Sequence, residues 1–266
     1  MTKPSSITNY NELYNDFPVI GSASDADSLF RLASSNTTEE VSFSGQRQKY
    51  CVCFIDMVNS TAITSSLNDA QVSKYYAIFL NAMATIARNF GAKIIKNAGD
   101  CLIYYFPATS DSNDKIAFND VLECCSTMIE AHRFINAKLN EERLPPINYR
   151  ISADYGMVEI ARSITSASDD LFGSTMNRCA KMNIKAKENS MVIGNDLFSV
   201  SKSFSLINEE YRFEEIWSDS SAARVNEQKY PVYSVQNKQR RIILNPFKCV
   251  STRNTDLNLS TDYNEK

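Results

Sequence analysis

Two aspartates stand where carboxylates do chemistry. Asp56 closes the apolar run Tyr50-Cys51-Val52-Cys53-Phe54-Ile55, and Asp100 ends the turn segment Asn97-Ala98-Gly99-Asp100 between two shorter apolar runs. If neighbouring strands bring both to one end of a sheet, they can hold a pair of divalent cations about 4 Å apart, an arrangement suited to phosphoryl chemistry. After Asp56 the chain runs Met57-Val58-Asn59-Ser60-Thr61. A turn there would aim successive backbone N–H groups at a triphosphate, which makes Ser60 and Thr61 candidate substrate contacts. Taken singly, Asp56 reads as a helix cap and Asp100 as a turn residue. Together, each at a strand end, they favour the metal reading.

The elements that must position them are legible from periodicity. The run 50–56 has the look of a strand buried on both faces. Asn68-Asp69 can cap a helix over 69–90 with apolar positions at Val72, Tyr75, Tyr76, Phe79, Leu80, Met83 and Ile86, and Gly91 stops it. Strands are expected at 92–96 and 101–106, joined by hairpin turn chemistry. A loop over 107–114 precedes a helix over 115–139, and Pro145-Pro146 ends that region. A strand pair or one long strand containing Gly156 follows over 147–160. Asp169-Asp170-Leu171-Phe172-Gly173 reads as a turn into a helix over 174–189, before a short strand at 191–194 and a strand near 230–235. The order strand, helix, strand, strand, helix, strand is the α+β, ferredoxin-like βαββαβ arrangement with accessory C-terminal strands, its helices on one face. The expected organisation is a polar, partly ordered leader over 1–46, a domain over 47–237 and a flexible polar tail over 238–266.

Composition removes other classes. The chain has 266 residues, and 28 Lys+Arg against 31 Asp+Glu leave a net charge of −3, which argues against a nucleic-acid binder. A hydrophobic content of 43% supports a core and excludes a chain disordered throughout. The longest apolar stretch, near Tyr75–Ala87, is interrupted by Asn81 and falls short of the roughly 20 residues of a membrane span. The start Met1-Thr2-Lys3-Pro4-Ser5 lacks an apolar signal segment, so the expected location is cytoplasmic, with no membrane partner. Seven cysteines without a C-x-x-C pair, and with His132 the sole histidine, read as reduced core thiols rather than disulfides or zinc ligands.

Segments spread in order along the chain carry a specific resemblance. Phe54-Ile55-Asp56-Met57-Val58-Asn59-Ser60-Thr61 resembles the first metal motif of the class III nucleotidyl cyclases, and Lys96-Asn97-Ala98-Gly99-Asp100-Cys101 resembles their second. Asp170-Leu171-Phe172-Gly173-Ser174-Thr175-Met176-Asn177-Arg178-Cys179-Ala180-Lys181-Met182 is similar to the helix that carries their ribose and transition-state residues. Gly156, within Ala153-Asp154-Tyr155-Gly156-Met157-Val158, and Val192-Ile193-Gly194 also fit, so the resemblance spans about 48–236. It implies an enzyme that converts a nucleoside triphosphate into a 3′,5′-cyclic nucleotide and pyrophosphate with two Mg²⁺ or Mn²⁺ ions on Asp56 and Asp100. Asn177 would orient the ribose and Lys181 would neutralise transition-state charge. The family's two-fold homodimers place the carboxylates of one chain opposite the Asn face of the other, so a shared active site is implied.

Lys181 departs from the arginine usual at that position. An arginine grips phosphate oxygens with two prongs, whereas a lysine offers a point charge. Losing one charge-assisted bond of about 1.5–3 kcal/mol would slow the reaction roughly 10- to 100-fold without abolishing it. The departure also keeps open a catalytically weak nucleotide-binding dimer module. A further basic phosphate ligand is expected before the last strand, with Arg224 and Lys229 as candidates.

Lys96 and Asp170 resemble the base-reading pair of adenylyl cyclases. A donor and an acceptor match adenine, but cytosine and uracil can satisfy the same pair. Tyr50, Tyr104 and Tyr105 could fill the space that a pyrimidine leaves in a purine slot. The sequence shows no sensor or membrane domain, an economy similar to the stand-alone pyrimidine cyclases of Pycsar-type antiphage systems. That resemblance implies cyclic UMP or cyclic CMP as product and an effector from a neighbouring gene as indirect partner, with ATP-to-cyclic-AMP conversion as the alternative. Aspartyl-phosphate phosphatases need Asp56-x-Asp, and position 58 is valine. The diguanylate-cyclase and polymerase palm layout expects an acidic pair where Asn97-Ala98-Gly99-Asp100-Cys101 carries one acid.

Overall fold

The computed structural model describes residues 41–163, 169–219, 230–238 and 246–248. Most of the expected leader and tail, and both Arg224 and Lys229, lie outside the described residues. The first elements are β1 (Val41–Met57), α1 (Ser60–Thr64), α2 (Asp69–Asn89), β2 (Lys93–Ala98) and β3 (Cys101–Phe106). After a 3-10 turn at Pro107–Ser110 come α3 (Lys115–Glu141), β4 (Tyr149–Ser163), β5 (Asp169–Phe172) and α4 (Ser174–Asn183). The remainder comprises β6 (Ser190–Gly194), α5 (Asn195–Lys202), α6 (Ser205–Glu210), β7 (Tyr211–Asp219) and β8 (Tyr230–Asn237), with a 3-10 turn at Pro246–Lys248.

One sheet runs β2-β3-β1-β4-β6-β8-β7, with β5 paired to β4. Its first four strands carry the α+β ferredoxin-like order, and β6 joins β4 in parallel while β8 and β7 extend the sheet antiparallel. The helix boundaries have local causes. The Asn68 side chain accepts from the Gln71 amide while Gln71 reaches back to the Asn68 amide, a capping box that starts α2. The Asp114 side chain accepts from the Ala117 amide and starts α3.

Alternation along β1 separates two faces. Cys51, Cys53 and Ile55 point into a core with Tyr75, Phe79, Met83 and Ile86 of α2 and Phe118, Leu122 and Met128 of α3. Burying each of these larger side chains contributes roughly 1.5–3 kcal/mol. Val52 and Phe54 point the other way, into a smaller cluster with Ile95, Ile103, Val158, Leu171 and Met176. The α2–α3 layer therefore covers one face, and the second face is left to α4 and the candidate site.

Several expectations need correction. β1 begins at Val41 rather than near 50, because its polar N-terminal half still pairs; the Ser44 hydroxyl donates to the Ile160 carbonyl on β4. Residues 169–172 form strand β5 rather than a turn, with Asp170 opposite Ala161. α4 ends at Asn183 rather than near 189, where the buried Asn183 side-chain amide donates to the Phe54 and Arg150 carbonyls and ties the helix end to the sheet. α5 and α6 were hidden by their shortness, at 8 and 6 residues, since an amphipathic period needs a longer run to register.

Candidate active site

The two aspartates meet. Asp56 faces Cys101 across the β1–β3 ladder, and Asp100 is the residue before Cys101. The turn that delivers Asp100 needs only Gly99 and Asp100 between paired Ala98 and Cys101. Gly99 has φ +63°, and glycine at the first central position of a two-residue hairpin matches the strand twist. The electrostatics report the same convergence. Burial, reinforced by the charge of Asp100, raises the Asp56 carboxyl above its ordinary range, and Arg150 pulls it back. Burial, then the charges of Asp56 and Asp100, push the Cys101 thiol up to about 12.

This donor set fits a hard cation. No group of three or more His, Cys, Asp or Glu side chains assembles among the described residues. A pair of carboxylates leaves the other coordination positions to water and phosphate oxygens, which is how Mg²⁺ is usually bound. The segment after Asp56 turns as expected: Asn59 takes a left-handed φ of 57°, Ser60 is buried, Thr61 is exposed, and the helical ladder of α1 opens with the Ile63 amide on the Asn59 carbonyl.

Arg150 was not singled out from the sequence. It lies on β4 with its Nε buried and without a hydrogen-bond partner, close enough for its charge to act on Asp56. Nothing in the local sequence marks it; only the pairing of strands remote in the chain brings a guanidinium beside the carboxylates.

Asn177 and Lys181 are both exposed on α4, four residues apart and so on one face of the helix. The opposite face is tied to the sheet. The Ser152 hydroxyl donates to the Cys179 carbonyl at 2.8 Å, and Asn183 Nδ2 donates to the carbonyls of Phe54 and Arg150 at 3.2 and 3.3 Å. Nearer the start of α4, Thr175 donates to the Met157 carbonyl and Arg178 Nε donates to Asp154 Oδ2, both at 3.0 Å.

Lys96 and Asp170 also come together, from β2 and β5, with Nζ and Oδ2 2.5 Å apart. The second oxygen of Asp170 accepts from the Leu171 amide, which fixes the carboxylate plane. Tyr50 and Tyr105 pack at 5.1 Å between ring centroids, against the Val52, Ile95 and Ile103 cluster. Tyr104 points away. It is fully buried on the helix side, where its hydroxyl donates to Met128 Sδ, so it is a core residue and lines no pocket on the site face.

Residues 43–230 match the family profile of the adenylate and guanylate cyclase catalytic domain. Among solved structures, the adenylyl cyclase CyaB from P. aeruginosa is 18% identical with a TM-score of 0.63; the match covers 73% of this chain and 97% of that one. The guanylyl cyclase Cya2 is 18% identical with a TM-score of 0.61, covering 74% of this chain and 96% of that one. The dimeric guanylyl cyclase domain of the RhoGC fusion protein from the aquatic fungus Blastocladiella emersonii is 16% identical, with a TM-score of 0.60 and coverage of 73% and 100%. At these identities the structural likeness speaks for the fold. No curated protein matches the sequence. No helix among the described residues is long and apolar enough to cross a membrane.

Proposed function

The chain belongs to the adenylate and guanylate cyclase catalytic domain family, and from that premise we propose how its residues make a 3′,5′-cyclic nucleotide and pyrophosphate from a nucleoside triphosphate. The observation that carries the proposal is the meeting of Asp56 and Asp100 at one end of the β1–β3 pair. These two side chains would hold two divalent cations, Mg²⁺ or Mn²⁺, which when bound acidify the ribose 3′-hydroxyl and neutralise the departing pyrophosphate. The reaction joins the 3′-oxygen to the α-phosphorus, breaks the bond from that phosphorus to the pyrophosphate oxygen, and sends the hydroxyl proton to water. Asn177 orients the ribose, and Lys181 stabilises the negative charge that grows on the α-phosphoryl oxygens. Arg150 contributes a second cation at the triphosphate. Its buried Nε, without a hydrogen-bond partner and with its charge acting on Asp56, is a donor for an anionic group.

The active unit is a two-fold homodimer in which Asp56 and Asp100 of one protomer face Asn177 and Lys181 of its partner. Exposure of Asn177 and Lys181 on a helix tethered by its other face supports this reading. Lys96 and Asp170 read the base edge, and Ser60 and Thr61 line the phosphate turn. We assign the base as a pyrimidine, UTP or CTP, because Tyr50 and Tyr105 add aromatic bulk to the sheet face opposite the α2–α3 core. ATP is the second reading, favoured by the donor–acceptor match of that pair to adenine. The Pycsar-type resemblance extends the pyrimidine reading to a cytoplasmic messenger that activates a neighbouring effector in antiphage defence. The test is incubation of the purified chain with each of the four triphosphates and Mn²⁺, with products identified by mass. Cyclic UMP or cyclic CMP is expected. Cyclic AMP alone would move the assignment to adenine, and no product from an intact dimer would leave a binding module.

A further inference from the structure

An ionic cluster around one buried carboxylate lies against α4. The Asp154 carboxylate is shut away from solvent and accepts three hydrogen bonds, from Arg178 Nε at 3.0 Å, the Tyr230 hydroxyl at 2.8 Å and the Tyr155 amide at 2.9 Å. Arg178 continues to Asp196 Oδ2 at 3.2 Å and to the Ser174 hydroxyl at 3.4 Å, and its guanidinium lies over the Tyr230 ring at 4.5 Å. The Tyr230 hydroxyl also accepts from the Asp196 amide at 3.1 Å. Four elements are thus tied at one point: β4, α4, the start of α5 and the start of β8.

Two glycines make the room. A Cβ at Gly194 would sit 2.3 Å from Asp154 Oδ1 and 2.9 Å from the Tyr230 hydroxyl oxygen, and one at Gly156 would sit 2.6 Å from Thr175 Oγ1 and 3.3 Å from Arg178 Nη2. A buried charge of this kind is a poor source of stability, because desolvating the ions offsets their attraction. A gain in geometry is the stronger reason for keeping one.

We propose that Asp154, Arg178, Tyr230 and Asp196 form a positioning latch that sets the orientation of α4 and, through it, of Asn177 and Lys181. The inference rests on the cyclase reading for the roles of those last two residues. Arg178 adjoins Asn177 and lies three residues before Lys181, while the Ser152 and Asn183 tethers hold the far half of the helix. Releasing the latch therefore leaves α4 docked at Thr175, Cys179 and Asn183 but frees the stretch between Thr175 and Cys179 to shift. The ribose-orienting amide rides on that stretch.

The charge state of Asp154 gives the latch a pH signature. Burial pushes its carboxyl up to about 6, against the opposing pull of Arg178 and the Tyr230 hydroxyl, with Asp196 adding to the rise. The thiols of Cys51 on β1 and Cys179 on α4 complete the titratable groups whose electrostatics include Asp154. The folded chain holds this proton more tightly than an unfolded one, so the group's contribution to stability falls as pH rises from about 3.8 to about 6. The ion pair to Arg178, and with it the latch, forms over that same rise. Activity and stability should therefore move in opposite directions across it.

The experiment compares the full chain with Asp154→Asn, Tyr230→Phe, Arg178→Lys and Arg178→Met. It measures kcat and KM from pH 5 to 8, thermal midpoints, and hydrogen exchange over residues 174–183. Asp154→Asn should lower kcat about 10- to 100-fold with KM changed by less than about 2-fold, since misplacement of a catalytic group acts on the transition state. It should also remove the wild-type loss of kcat below about pH 6 and speed exchange in 174–183 relative to β1. Tyr230→Phe should do the same to a lesser degree, which covers the case of an Asp154 variant that fails to fold. Arg178→Lys should retain more kcat than Arg178→Met. Unchanged exchange over 174–183 in every variant, or a kcat loss that only tracks the unfolded fraction, overturns the latch. A wild-type chain that turns over no triphosphate overturns the cyclase reading instead, and the exchange comparison still decides whether the latch orders α4.

Discussion

Replacing Asp56 by asparagine should stabilise the metal-free protein while removing its activity. Across the antiparallel β1–β3 pair, neighbouring Cα atoms lie about 5 Å apart. Asp100 is one residue along from the Asp56 partner, which puts the two Cα atoms on the order of 6 Å apart, a separation taken for the two charges as well. Unit charges at that distance repel by roughly 0.7 kcal/mol in water and roughly 3 kcal/mol at an effective dielectric of about 20. Arg150 relieves part of this, as its opposing pull on the Asp56 carboxyl shows. A net gain of about 1 kcal/mol is reasonable for the neutral isostere, worth a rise of about 2–4 °C in the melting midpoint of a chain this size. Adding Mn²⁺ at about 100 times its Kd should stabilise the wild type by about 2.7 kcal/mol, and the variant by far less. Turnover should fall at least about 1000-fold, since the ions supply several kcal/mol of charge stabilisation. Thermal melts with and without Mn²⁺, run beside product detection by mass, read all three quantities. A variant that melts several degrees lower yet keeps the full Mn²⁺ shift would show that Asp56 is a packing residue and would refute the reasoning.

Lys181→Arg should retain turnover or raise it by up to about 10-fold, because a two-pronged donor replaces a point charge on the same exposed helix face; complete loss in a steady-state assay would place Lys181 away from the phosphate. Arg150→Ala should lower kcat/KM about 10- to 100-fold through loss of one charge-assisted contact, and an unchanged value would remove Arg150 from the site. Gly194→Ala drives a methyl group to 2.3 Å from Asp154 Oδ1 and should cost about 1–3 kcal/mol, a drop of roughly 2–10 °C by calorimetry. A neutral result there would mean that the Asp154 carboxylate can swing aside and is not held by its three donors.

The parts of the site that the sequence made legible are those where chemistry and local structure coincide. Asp56 ends an apolar run, Asp100 ends a glycine turn, and Asn68 caps a helix with Gln71 three residues on; each signal lies within a few positions of the residue it places. The β4–β5 hairpin was less visible because Asp169-Asp170-Leu171-Phe172 is short and polar at its start, and its pairing with Glu159 to Arg162 is a tertiary fact. Tyr104 and Tyr105 illustrate the limit of composition. They are adjacent and alike, yet strand alternation sends one into the helix-side core and the other onto the site face.

Arg150 and the Asp154 cluster mark a further limit, because charged residues in strands usually signal solvent. Arg178 bonds to Asp154 across 24 positions, and Tyr230 reaches the same carboxylate across 76. No periodicity encodes contacts of that separation. What the sequence did carry was their complement, the two glycines at 156 and 194 that leave space for the cluster. Each could have been read as an unremarkable strand glycine, since a missing side chain in a strand weakens packing unless something must approach closely. Here the approaching groups are a carboxylate, a hydroxyl and a guanidinium. A chain that gives up two side chains and desolvates a charge to seat them has spent stability beneath the one helix that presents Asn177 and Lys181. That expenditure is intelligible if the angle of α4 matters to the reaction.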